Sequence, residues 1–133
     1  MAIVKTVLVN DGGAPSRIIN FTAGEALEAG EALKVHTDGT VKLATSNQAP
    51  VLGFALTDTA NGDIASVVTG RGIVINAITD AVTAGDLLSV DSGKPGFLDT
   101  KTAYADGTEE DVVIAIALET NGDSDTMTKI MVL

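Results

Sequence analysis

The feature that most constrains this chain is that it says nearly the same thing twice. "EAGEALKVHTDGTVKL", from Glu28 to Leu43, returns as "TAGDLLSVDSGKPGFL", from Thr83 to Leu98. At one constant spacing Ala29 meets Ala84, Gly30 meets Gly85, Glu31 meets Asp86, Leu33 meets Leu88 and Val35 meets Val90. Both copies then turn through glycine, and Leu43 and Leu98 close the match. Downstream, "VLGFALTDTANGD" (Val51 to Asp63) pairs with "VIAIALETNGD" (Val113 to Asp123), each followed by a mixed polar and apolar stretch. The copies span 25–76 and 80–133. A unit this long, present only twice, does not make a solenoid; it predicts two similar halves closing one domain.

Short strands broken by glycine predict an all-β fold, a small barrel or sandwich. Taken alone, Glu25 to Leu33 has helical propensity, but its sister "AVTAGDLLSV" is rich in β-branched residues and breakers. Gly24 and Gly30 weaken a helix further, by about 1 kcal/mol each. The expectation is a turn feeding a strand. Asp63–Thr69 and Gly72–Ile78 read as strands joined by a hairpin corner at "TGRG", and each Asn-Gly as a hairpin turn. "VVIAIAL", Val112 to Leu118, is apolar on both faces, as a central strand requires. The first residues lie outside the repeat, and "VNDGGAPSR" is a breaker cluster. Residues 1–16 are therefore expected to form an extended N-terminal arm on a single β domain, 17–133.

The 133 residues suit one domain that buries roughly two-thirds of its unfolded surface. Aromatics make up only 3%, so the core must be aliphatic and thin, and support from a partner or from self-association is expected. Acids outnumber bases 18 to 8, and a net charge of −10 without any basic cluster argues against nucleic acid. There is no cysteine, hence no disulfide frame and no thiolate metal site. No apolar run is long enough for a membrane span or a signal-peptide core, which predicts a soluble protein made in the cytoplasm.

No reactive constellation stands out. His36 is the one histidine, and no Gly-x-Ser-x-Gly elbow exists to pair with it. The acids sit mainly in turns, where they bond their own backbone, so a glycosidase pair is not expected. Asn121, Asp123 and Asp125 have the alternate spacing of a calcium loop, but Thr126 stands where glycine is needed and Val132 where the bidentate acid belongs. Asp58, Asn61 and Asp63 form a similar weak cluster. Arg71 in "TGRG" lacks the following helix of a phosphate loop, and Lys42 lies two residues past the turn tip that a carrier lysine occupies. No cofactor, metal or catalytic residue is assigned. A small acidic β protein of this kind is expected to bind or to build, not to catalyse.

With these residues in view, "FTAGEALEAGEALKV", "DGTVKLA", "APVLGFALTDTANGD", "VVTGRGIV" and "VTAGDLLSVDSG" together resemble the small head decoration (cement) proteins of tailed phages. The resemblance covers Arg17 to Gly96 well and the last third by pattern only, and Phe54 departs from the small aliphatic residue common at its place. It implies a β-barrel or β-tulip-like domain on the outer capsid surface of the virion. Such a protein bridges major capsid protein subunits and stabilises the expanded head, often as a homo-oligomer, with a trimer favoured. Two contact regions are expected. Val4, Val7 and Val9 of the arm would add a strand to a neighbouring sheet edge. Asp106, Glu109, Glu110 and Asp111, in the loop Thr100 to Asp111, would meet basic capsid residues. The competing readings are a non-catalytic binding module, sugar-binding or fibre-associated, and, behind it, an enzyme or carrier domain. For a sugar binder the only candidate aromatic platform is Tyr104.

Overall fold

The computed structural model describes residues 15–47, 49–100 and 112–133. Among these there are ten strands and no helix. The first half holds β1 (Arg17–Thr22), β2 (Ala32–Val35), β3 (Val41–Leu43), β4 (Gly53–Ala55) and β5 (Ile64–Thr69), hydrogen-bonded in the order β1-β5-β4-β2-β3. The second holds β6 (Val74–Thr79), β7 (Leu87–Val90), β8 (Leu98–Thr100), β9 (Ala115–Ala117) and β10 (Thr126–Val132), closed into a barrel β10-β6-β8-β7-β9. Opened between β6 and β8, that ring reads β6-β10-β9-β7-β8, the order of the first half strand for strand. The barrel closes through a parallel bridge, Thr79 to Leu98. The first half carries the same parallel bridge, Ala23 to Val41. The protein is all-β, built from two similar halves.

The strand order also corrects the sequence at three points. The chain divides between β5 and β6, so β1 opens the first half and β6 the second, one strand earlier than the repeat at 25–76 and 80–133 implied. "TGRG" is not a hairpin corner: β5 pairs with β1 and β4, whereas β6 pairs with β10 and β8, so this segment crosses from one half to the other. The two Asn-Gly pairs are not equivalent. Leu27 bridges Thr59 in the first half, and Val82 bridges Asn121 in the second, so Asn121 stands where Thr59 does. The left-handed position of the turn is Gly62 (φ 90°) in one half and Asp125 (φ 63°) in the other. Gly62 N–H donates to Ala23 O, and Asp125 N–H donates to the equivalent Thr79 O.

The repeated Ala-Gly-acid has a local cause. Glu31 N–H donates to Glu28 O across a four-residue turn whose third residue, Gly30, has φ 88°. That is the arrangement of a type II turn, which asks for glycine there. The acid folds back: Glu31 Oε1 accepts from Glu28 N–H at 2.6 Å, as Asp86 Oδ2 accepts from Thr83 N–H at 2.9 Å. Gly30 N–H then reaches Ala55 O in β4, and Gly85 N–H reaches Ala117 O in β9, fastening each turn to the fourth strand of its own half. A positive φ at the turn centre rules out the helix that Glu25 to Leu33 would otherwise favour.

The core is aliphatic, as the shortage of aromatics requires. Leu27, Leu33, Val41 and Val67 fill the first half. A larger cluster joins the halves: Ala32, Phe54 and Val68 from the first pack with Ile73, Ile75, Leu88 and Ile130 from the second. Each such side chain contributes roughly 1.5–3 kcal/mol on burial. Phe54, 1% exposed, is the largest fully buried side chain and lies in this shared cluster. Backbone bonds cross the same boundary, from Ile78 N–H to Gly30 O and from Ala32 N–H to Gly96 O.

The halves share a topology but not a surface. β6 is buried along most of its length, with Val74 6% and Ile75 0% exposed, because the first half lies on it. In β1 the equivalent residues, Ile18 and Ile19, are 56% and 40% exposed.

Candidate functional site

Two features among the described residues bear on function, and neither pairs a nucleophile with a base. The larger is a groove of about 350 Å³ where the halves meet, walled by Leu52, Phe54, Ile73, Ile114 and Val132. It exists because Thr69 to Ile73 must cross between the sheets there. Gly70 makes the crossing at φ 143°; a Cβ on it would meet Ile73 Cγ2 at 3.0 Å and Pro15 O at 3.4 Å. Thr69 Oγ1 donates to Leu52 O at 2.8 Å, and Gly72 N–H to Val132 O at 2.6 Å. Among the described residues, Arg71 is the one charged side chain in the lining. Such walls can hold an apolar side chain or a strand; they offer no nucleophile and no paired base.

The smaller feature is acidic. Carboxylate oxygens of Asp80, Asp91 and Asp99, all partly buried, lie within 4.8 Å of one another at one end of the barrel. The turn of "DSGKPG" builds it: Asp91 Oδ1 accepts from Gly93 N–H at 2.8 Å, which swings Lys94 back over the cluster. Lys94 Nζ pairs with Asp80 at 2.6 Å and with Asp125 at 3.6 Å, and stands 5.7 Å over the Phe97 ring. Burial, the hydrogen bond shared with Asp80 and the charges of Asp80 and Asp99 push Asp91 above the usual carboxylate range. Burial acts upward on Asp80 as well, but the bonds from Asp91 and Lys94 outweigh it and hold Asp80 below that range. Lys94 is in turn pushed above the ordinary lysine value, chiefly by its bond to Asp80. The cluster thus balances itself, with Asp91 bonded to Asp80 and the Lys94 ammonium seated on Asp80.

The residues singled out in the sequence fare unevenly. Val4, Val7 and Val9, with Tyr104, Asp106, Glu109, Glu110 and Asp111, lie outside the described residues. His36 sits beside the turn after β2, where its backbone bonds Thr40 and Gly39. The nearby Asp38 is held below its ordinary value by bonds from the Thr40 hydroxyl and amide. Asp58 Oδ1 accepts from Ala29 N–H, so it braces the Ala-Gly turn. The Asn121 amide donates to Thr126 Oγ1 and Thr128 Oγ1, and its Oδ1 accepts from Asp123 N–H. Asp58 and Asn121 are thus engaged in turn chemistry, and Asp125 faces Lys94. Lys42 lies within β3 opposite Lys34, away from any turn tip. The Asp80–Asp91–Asp99 group escaped sequence reasoning, since its members come from different turns and strands.

No protein-family model matches the sequence, and no curated protein matches it. A solved structure does: the head fibre gp8.5 N base of bacteriophage phi29 is similar with a TM-score of 0.67, over 90% of this chain and 95% of that one. The sequences are 16% identical, and the likeness is therefore one of fold.

Proposed function

We propose that this chain is a structural protein of a tailed-phage virion. It binds the outer surface of the capsid and stabilises the expanded head by bridging major capsid protein subunits. It works as a homo-oligomer, with a trimer favoured, and performs no catalysis. The observation that carries the reading is the shared fold with a phage head fibre base over nearly the whole of both chains. The motif resemblance to head decoration proteins points the same way. The charge of −10 suits an outer surface that stays clear of packaged DNA. The groove and the acidic cluster, neither of which pairs a nucleophile with a base, favour gripping over chemistry.

The test is to mix the purified protein with expanded heads that lack decoration and pellet them. Binding should saturate at a number of copies fixed by the number of capsid subunits, and decorated heads should withstand higher temperature before releasing DNA. Binding without a stoichiometric plateau, or unchanged head stability, would refute the bridging role. A second reading has one observation behind it: the similar structure is the base of a fibre. In that case the chain seats a fibre at a few head positions, and saturation would come at far fewer copies.

A further inference from the structure

We propose that copies of this chain join head to tail through a contact that repeats the one between its own two halves. The inference rests on the self-association in the preceding reading and not on the capsid. Within the chain, β6 and its surroundings form one face, and the first half covers it: Ile78 N–H donates to Gly30 O, and Met127 lies where a Cβ on Gly30 would fall, 2.8 Å from its Sδ. The matching strand registers give the strand residues of this contact counterparts in the other half. The counterparts of the covered face lie on the first half, and those of the covering face on the second. Among the described residues, neither set has a partner within the chain.

Both are apolar and open. Val74, Ile75 and Val90 are at most 6% exposed, whereas their counterparts Ile18, Ile19 and Val35 are 56%, 40% and 50% exposed. Ile64, which occupies the place of Met127, is 63% exposed. On the other side, Ala29 and Ala32 are 1% and 0% exposed, whereas Ala84 is exposed and Leu87 is 43% exposed. Leu118, the counterpart of the half-buried Leu56, is 42% exposed. Apart from Leu133, these are all the exposed large apolar residues among those described. Scattered exposed apolar residues need no explanation; a set divided between two surfaces already known to be complementary does. The occupant of each surface is a second copy of the chain. Ile64 of one copy rests on Gly85 of the next, and the Thr22 amide, at the position of Ile78, donates to the Gly85 carbonyl. Such a contact uses different patches on the two partners, so it closes into a ring wherever the rotation permits.

The experiment compares the wild type with Ile18→Lys and Leu87→Glu by light scattering after gel filtration. The wild type should run as a multiple of 13.5 kDa, and each variant, with an unchanged circular dichroism spectrum, as the single chain. A one-to-one mixture of the variants retains one sound contact per pair and should run as a dimer. Because the chain has no cysteine, Ile64→Cys on one copy and Ala84→Cys on another should cross-link in mixture and neither alone. A monomeric wild type, an effect of only one variant, or no mixed cross-link would overturn the proposal. An oligomer built this way that ignores phage heads would remove the capsid reading and leave the contact standing.

Discussion

Gly30 and Gly85 occupy the same place in the two halves, and replacing each with alanine separates two physical effects. Both have positive φ, 88° and 91°. An L-residue there is strained by roughly 1–2 kcal/mol, partly offset by the lower entropy of the unfolded alanine chain. At Gly85 nothing lies within 4 Å of the new Cβ, so Gly85→Ala should lower stability by about 1 kcal/mol. At Gly30 the Cβ would stand 2.8 Å from Met127 Sδ, 2.9 Å from its Cε and 3.3 Å from Ile78 Cγ1. Crowding of this kind adds about 1–3 kcal/mol, nearer the lower end because the methionine can move. Gly30→Ala should therefore cost about 2–4 kcal/mol in all. Urea unfolding measures the difference; with a slope of about 1–3 kcal/mol per molar, the midpoints should differ by around 1 M. Both variants are best made on Ile18→Lys, so that contacts between copies do not enter. Adding Met127→Ala should relieve Gly30→Ala and leave Gly85→Ala unimproved. Equal losses at the two glycines, or no relief, would refute the claim that this turn is the joint between the halves.

Three further outcomes follow from the packing and the charges. Phe54→Ala should cost about 3–5 kcal/mol and broaden the unfolding transition, since it hollows the cluster shared by both halves; calorimetry would show it. Lys94→Met removes the ammonium from Asp80, so the Asp80 carboxyl should titrate higher in a carbon-detected NMR titration. Asp80 is lowered in the fold, so its contribution is present above its unfolded value and disappears as pH falls through the folded one. Asp91 has the opposite sign: raised in the fold, it stabilises at low pH and its contribution disappears as pH rises. In Asp91→Asn, stability should consequently fall less on going from acid to neutral pH than in the wild type, by chemical denaturation at each pH. Asp125→Gly relieves a left-handed non-glycine residue and loses only a long, exposed ion pair with Lys94; it should be neutral or stabilising by up to about 1 kcal/mol.

Much of the architecture was legible because the two copies constrain each other. A single Ala-Gly-acid is ambiguous between helix and turn; two copies in different company are not. The strands of "IASVVT" and "VINAIT" announced themselves through β-branched residues, yet their adjacency in sequence suggested a hairpin that the fold does not make. Pairing across sheets is decided by which faces bury, and "TGRG" carries no mark of that choice. The Asn-Gly pairs misled for a related reason. Identical dipeptides draw an alignment together, whereas the structure aligns the residues that share hydrogen bonds, Gly62 with Asp125. The acidic cluster and the two open apolar faces were not legible at all. Both depend on the difference between equivalent strands, and β1 and β6 differ in burial far more than in composition.

The misaligned dipeptides have a chemical sequel. An asparagine followed by glycine loses its amide when the next backbone nitrogen attacks the side-chain carbonyl, which requires the side chain to swing freely. Asn121 is held on both sides of its amide, by two threonine hydroxyls and by the Asp123 N–H. Asn61 is exposed beside the left-handed glycine of its turn, Gly62. Stored protein should thus acquire its first new negative charge, and its first isoaspartate, at position 61, while the twin at 121 keeps its nitrogen.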